Sequence, residues 1–163
     1  MKMKEKIYGK KRIFDYYIFI DYSENLIGYL IIENKKIKDL MPKITKFNHY
    51  NEVKRKSAYL HSIKNVLDKE NILDCLLKLK IKKTKDTLEI YSEILEFLKE
   101  HNNCLIFISV DNKQYSNFER LVNVFDGKNI KIIRESELKK GTSEHKMSLI
   151  LDTLLNIERV KNA

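Results

Sequence analysis

Apolar residues run almost without a break from Ile13 to Ile20, stop at Asp21 and a polar turn at Ser23-Glu24-Asn25, and resume as LIGYLII from Leu26 to Ile32. Unbroken runs of that length suit strands covered on both faces, and so short a connection makes the pair an antiparallel hairpin. The next stretch, KKIKDLMPKITKF, places Ile37, Leu40 and Met41 before Pro42, and Ile44 and Phe47 after it. Its mixed apolar and polar character predicts a third strand, with Pro42 at an edge or a break. The chain therefore starts as a three-stranded meander.

Beyond His49 the period lengthens. Val53, Leu60, Ile63 and Leu67 can share one helix face, a second short helix is expected over Ile72 to Leu79, and a third runs from the capping box Asp86-Thr-Leu-Glu89 to about Glu100. Residues from about 51 to 100 thus read as a helical block. Cys104 to Val110 is a run of strand formers ending at Asp111, and Phe118, Leu121, Val122 and Phe125 follow the spacing of a core-facing helix that Asp126-Gly127 closes. Ile130 to Ile133 is a further short strand, so strand, helix, strand reads as a parallel βαβ unit. Met147, Ile150, Leu151 and Leu154 trace a last helix, which Asp152 interrupts.

At 163 residues the chain is long enough to bury one core, and no linker or repeat divides it, so a single domain over 1–163 is expected. Residues 1–12 carry six Lys or Arg and form a basic tail. The formal net charge of +9 points to polyanionic partners, nucleic acid before membrane, although a Lys-rich surface alone can produce it. Cys75 and Cys104 lack metal-ligand companions and read as buried thiols in a reducing compartment. The apolar runs are too short to span a bilayer and the first residues lack a secretory pattern, which leads to a cytoplasmic location with no membrane partner.

The order β-β-β, helices, β-α-β-α, with Asp21 closing the first strand and Asp111 the first parallel one, resembles the ribonuclease H-like superfamily. YYIFIDYSENLIG and SLILDTLL also look like the two ends of an uncharacterised branch whose first strand ends in Asp-Glu-Ser; here the order is Asp21-Tyr22-Ser23-Glu24. The resemblance implies an α/β mixed sheet in which the first strand and the first parallel strand lie side by side, and an acid on the last helix, Asp152, that joins Asp21 and Asp111. It also implies a Glu early in the first long helix, for which Glu52 is the nearest match. His145, two turns before Asp152, resembles the His that some such enzymes use in product release.

A two-metal phosphodiester hydrolysis needs hard oxygen ligands for two Mg²⁺ or Mn²⁺ ions about 4 Å apart. Asp21 is then the bridging ligand, with Asp111 and Asp152 on one ion each. Each of these acids has a bland counterpart, since an Asp at a strand end is often a turn former or helix cap, and Glu24, Glu135 and Glu137 read as turn and loop acids beside the site. Lys139-Lys140-Gly141-Thr142 lacks the spacing of a phosphate-binding loop. Lys54, Arg55 and Lys56, together with Lys82 and Lys83, are the candidate contacts to nucleic acid, RNA or DNA, and a solvated helix face explains them as well. The expected activity is a metal-dependent nuclease. A non-catalytic nucleic-acid-binding or protein-interaction module on the same scaffold is the alternative.

Overall fold

The computed structural model describes residues 14–109, 111–125 and 127–161; the basic tail expected at 1–12 lies outside the described residues. Strands β1 (Tyr16–Ser23) and β2 (Leu26–Glu33) form the expected hairpin, in a register that sets Asp21 opposite Gly28. Its tight turn puts Glu24 in the left-handed region at φ 54°. The sheet has five strands in the order β3-β2-β1-β4-β5, where β3 is Lys78–Lys83, β4 Cys104–Ile108 and β5 Ile130–Arg134. β2 runs antiparallel to β1 and β3, whereas β4 pairs parallel with β1 and β5 parallel with β4. The carboxyl ends of β1, β4 and β5 therefore meet at one sheet edge. The result is an α/β arrangement, a mixed five-stranded sheet with helices.

The third antiparallel strand is not where the sequence pattern put it. Residues 34–44 are helix α1 (Asn34–Leu40) followed by a 3-10 turn (Met41–Ile44). The reason lies in the spacing: Ile37, Leu40, Met41 and Ile44 fall at i, i+3, i+4 and i+7, a helical stripe, and Pro42 sits in the first turn, where its missing N–H is not needed. The strand is β3, inside the stretch expected to be helical. There the helix α2 (Lys56–Lys69) gives way to a 3-10 turn at Ile72–Cys75, and then Leu77, Leu79 and Ile81 alternate with Lys78, Lys80 and Lys82. Period-two alternation sends Ile81 to one face of the sheet and Lys80 and Lys82 to the other, where they pair with Glu89 and Glu93, and charged residues on an edge strand oppose pairing with another chain.

Strand alternation divides the core between the two faces. Tyr17, Phe19, Leu105 and Phe107 point to one face, which α1, α2 and the last helix α5 (Ser143–Lys161) cover. Ile18, Ile20, Ile106 and Ile108 point to the other, under α3 (Thr87–Glu100) and α4 (Asn112–Val122). On α3, Leu88 is largely exposed while Tyr91 and Leu98 are buried, so the core stripe begins a turn later than its sequence spacing suggests. α4 starts at Asn112, with Asp111 as its N-cap. On α5, Met147, Ile150, Leu151 and Leu155 are fully buried or nearly so, each worth about 2 kcal/mol of apolar transfer. That burial seats α5 across β1 and β2 and fixes the height of everything else it carries.

Among the described residues no helix is long and apolar enough to cross a membrane.

Candidate active site

Asp21 is the last residue but two of β1, and alternation places it with Tyr17 and Phe19 on the face that α5 covers. α5 comes close here because Gly28, its partner across the hairpin, has no side chain. A Cβ built on Gly28 would stand 3.2 Å from Leu151 Cδ1, 3.2 Å from Leu155 Cδ2 and 3.1 Å from Ile81 Cγ1. The helix register is then pinned by Ser23, whose hydroxyl donates to Asn156 Oδ1 at 3.3 Å. Two residues back along β1 and one turn back along α5 bring Asp21 and Asp152 to the same level.

Asp152 is buried, and its carboxylate is held on both oxygens. The Tyr50 N–H donates to Oδ2 at 2.8 Å, and His49 Nε2 lies 3.6 Å from Oδ1. His49 Nδ1 accepts from the Asn51 N–H at 3.2 Å, which leaves Nε2 as the nitrogen carrying the proton in the neutral ring. Asp21 accepts the Tyr22 N–H at 2.8 Å and a hydrogen bond from the Ser109 side chain. Ser109 follows β4, so it arrives from the neighbouring parallel strand. Glu135 follows β5 in the same way, opening a 3-10 turn over Glu135–Glu137.

These neighbours set the electrostatics. Burial first, and then the charges of Glu135 and Asp152, push the Asp21 carboxyl well above the usual carboxylate range, against smaller lowering from Tyr22 and Ser109. Burial also raises Asp152, which Glu135 and Glu52 raise further while the Tyr50 N–H and His49 oppose. Both shifts run the same way, so burial and like charge favour the protonated form at each carboxyl.

No protein-family model matches the chain, and no curated protein matches it. Among solved structures it is similar to a chain of the PCNA:RNase HII complex from Archaeoglobus fulgidus, with 10% identity and a TM-score of 0.49, covering 91% of this chain and 74% of that one.

Of the residues singled out in the sequence, Asp21 and Asp152 are brought together. Asp111 sits apart: it is exposed, its Oδ1 accepts the Gln114 N–H at 2.8 Å as the cap of α4, and its charge is felt by Tyr91 under the opposite face. The third acid beside Asp21 is Glu135. Among the described residues no three His, Cys, Asp or Glu side chains are grouped closely enough to hold a metal ion. The donor chemistry nevertheless suits Mg²⁺ or Mn²⁺, which can be held by one or two carboxylates with the rest of the shell supplied by water and substrate phosphate.

His145 occupies the first turn of α5, whose start is capped by the Thr142 hydroxyl accepting the His145 N–H at 3.2 Å. Thr142 thus has a structural role in the turn after Lys139. The His145 Nδ1 is buried with no hydrogen-bond partner, and burial lowers its pKa, keeping the ring neutral, with Glu135 and Glu52 opposing. Glu52 itself is exposed and pairs with Lys140 at 3.2 Å.

Lys54, Arg55 and Lys56 are exposed just beyond Tyr50, next to the Asp152 side of the site. Lys82 is different. Its Nζ lies 3.3 Å from Glu89, and its neighbour Lys80 pairs with Glu93, so that patch is neutralised from α3, and Lys83 is the exposed residue at the strand end. Glu24 pairs with Arg159 at 3.5 Å.

Sequence reasoning passed over His49 and Ser109, which reach the site only through the fold. For Glu135 the signal existed: it closes a strand parallel to β1 and so belongs at the same edge.

Proposed function

We propose that the chain is a metal-dependent nuclease whose carboxylates Asp21 and Asp152, with Glu135 beside them, hold Mg²⁺ or Mn²⁺ and act on a nucleic-acid phosphodiester. The observation that carries this reading is the Asp21–Asp152 pair, raised by burial and by like charge at the edge where the parallel strands end. Ions bound there would supply charge to draw in a phosphate group and to acidify a water. The chain's own part is to hold the oxygens in place. Tyr50 and His49 fix the Asp152 carboxylate, and Ser109 and the Tyr22 N–H orient that of Asp21. Glu135 stands ready to add a third carboxylate when the like charges are neutralised. His145, its Nδ1 buried without a hydrogen-bond partner, lies within electrostatic reach of Glu135.

A second reading is a nucleic-acid-binding module without catalysis, favoured by the absence of a three-ligand group among the described residues. Thermal melting separates the two. An ion at a hundred times its dissociation constant stabilises by about 2.7 kcal/mol, or roughly 5–11 °C for a domain of this size. Mn²⁺ should raise the melting temperature of the native chain by that order and leave Asp21→Asn and Asp152→Asn unmoved. The native chain should also cut one of labelled single-stranded, duplex or hybrid substrates, and Asp21→Asn none. No shift at millimolar Mn²⁺, or equal cutting by Asp21→Asn, removes the nuclease.

A further inference from the structure

Between α2 and α5 runs a groove of about 500 Å³ that starts at Tyr50, the residue whose N–H holds Asp152. Its floor is apolar, made by Leu60, Ile157 and Val160, and Val160 is 46% exposed. Its rim is basic: Lys56, Lys64 and Lys161 are all exposed, and the lining contains no carboxylate. This is unlike the basic strand β3, where Glu89 and Glu93 neutralise Lys80 and Lys82. Lys56 Nζ stands 5.5 Å from the Tyr50 ring centroid, so the end nearest the acids carries a lysine as well. From Asp152 to Val160 the helix advances about 12 Å, which makes the groove a direct continuation of the carboxylate site.

We infer that this groove binds a single strand of nucleic acid, its phosphates on Lys56, Lys64 and Lys161 and a base laid on Leu60, Ile157 and Val160. A basic rim alone would attract any polyanion. The apolar floor selects one whose flat faces are free, which a single strand offers and a duplex hides in its stack. The volume fits one or two nucleotides rather than a folded partner. The inference rests on the nuclease reading for its direction, since the strand that lies here is the one presented to Asp21 and Asp152.

Binding of labelled twelve-residue single-stranded RNA and DNA, read by fluorescence anisotropy in EDTA, tests the groove apart from catalysis. Lys64→Glu with Lys161→Glu should weaken binding at least tenfold and lower the salt slope by about 1.4, two phosphates at roughly 0.7 each. Val160→Asp should weaken it also. A charge-matched control, Lys36→Glu with Lys38→Glu on the exposed side of α1, should leave affinity within twofold of native. Equal losses in the control overturn the groove, as does ATP competing as well as the oligonucleotide, or phosphatidylserine vesicles binding where oligonucleotides do not. Strand binding that follows these variants while Mn²⁺ fails to raise the melting temperature supports the groove and removes the nuclease. A Mn²⁺ shift with strand binding indifferent to Lys64, Lys161 and Val160 removes the groove and leaves the nuclease standing.

Discussion

The spacing of the two acids depends on how closely α5 lies over the hairpin, and Gly28 sets that distance. A methyl at Gly28 would meet Ile81, Leu151 and Leu155 at 3.1–3.2 Å, so each neighbour must yield by a few tenths of an ångström. Those are ends of flexible side chains, and Gly28 has no left-handed backbone to lose. Gly28→Ala should therefore cost only about 1 kcal/mol, its strain partly offset by the lower entropy of the unfolded chain. Gly28→Val adds two further carbons where the leucines already crowd, so α5 must lift. The expected loss is about 3 kcal/mol, the upper part of the usual overpacking range, and roughly 6–12 °C in melting temperature for this length. Differential scanning fluorimetry with and without Mn²⁺ reads both consequences, because lifting α5 also draws Asp152 away from Asp21. The Val variant should melt early and lose the Mn²⁺ shift. A native melting temperature refutes the close seat of α5 on β2, and an early melt with a full Mn²⁺ shift refutes the claim that this seat sets the acid spacing.

Asp21→Asn should stabilise the protein at neutral pH. The folded-state pKa of Asp21 is raised, so its carboxyl costs the fold nothing below the unfolded value of 3.8 and progressively more as pH rises from there through the folded pKa; urea melts from pH 3 to 8 should show the variant's advantage growing and then levelling, and a constant advantage contradicts the assignment. Asp111→Ala should cost about 1 kcal/mol through loss of the α4 cap, while a metal shift equal to native in the same melts shows that Asp111 is no ligand, and a lost shift restores it as one.

Much of this was legible from hydrophobic pattern. β1, β2, β4, α3 and α5 lie where apolar runs or helical stripes put them, since each is buried deeply enough for its period to dominate its composition, and β5, only half-buried, lies at the short run Ile130 to Ile133. The third strand lies elsewhere than the pattern predicts because Ile37, Leu40, Met41 and Ile44 satisfy a helical period in which Pro42 opens the 3-10 turn, and because Leu79 and Ile81 are diluted by the lysines an edge strand carries. Asp21 and Asp152 were visible as charges interrupting apolar runs. Asp111 looked equivalent because a strand-end Asp can serve a metal or a helix N-terminus, and only the fold shows it on the Gln114 N–H. His49 left no mark at all: it sits in a loop, and its place beside Asp152 follows from the 3-10 turn at Tyr50–Glu52 docking on α5.

The two central acids differ in what the fold asks of them. Asp152 has a structural task, since its carboxylate takes the buried Tyr50 N–H, and an uncharged replacement without an acceptor would orphan that donor at about 1–3 kcal/mol. Asp21 has no comparable task. Its bonds come from the next residue's N–H and from Ser109, and an Asn oxygen could accept both without bringing a charge into a site where burial, Glu135 and Asp152 all oppose it. A fold that only needed a turn there would be more stable without the carboxylate. Burial, Glu135 and Asp152 therefore favour the neutral carboxyl at Asp21, whereas a bound cation would favour the charged one. Under the proposed function a divalent ion would take that place at the edge of the sheet, which is why the nuclease reading begins with Asp21 rather than with the basic surface.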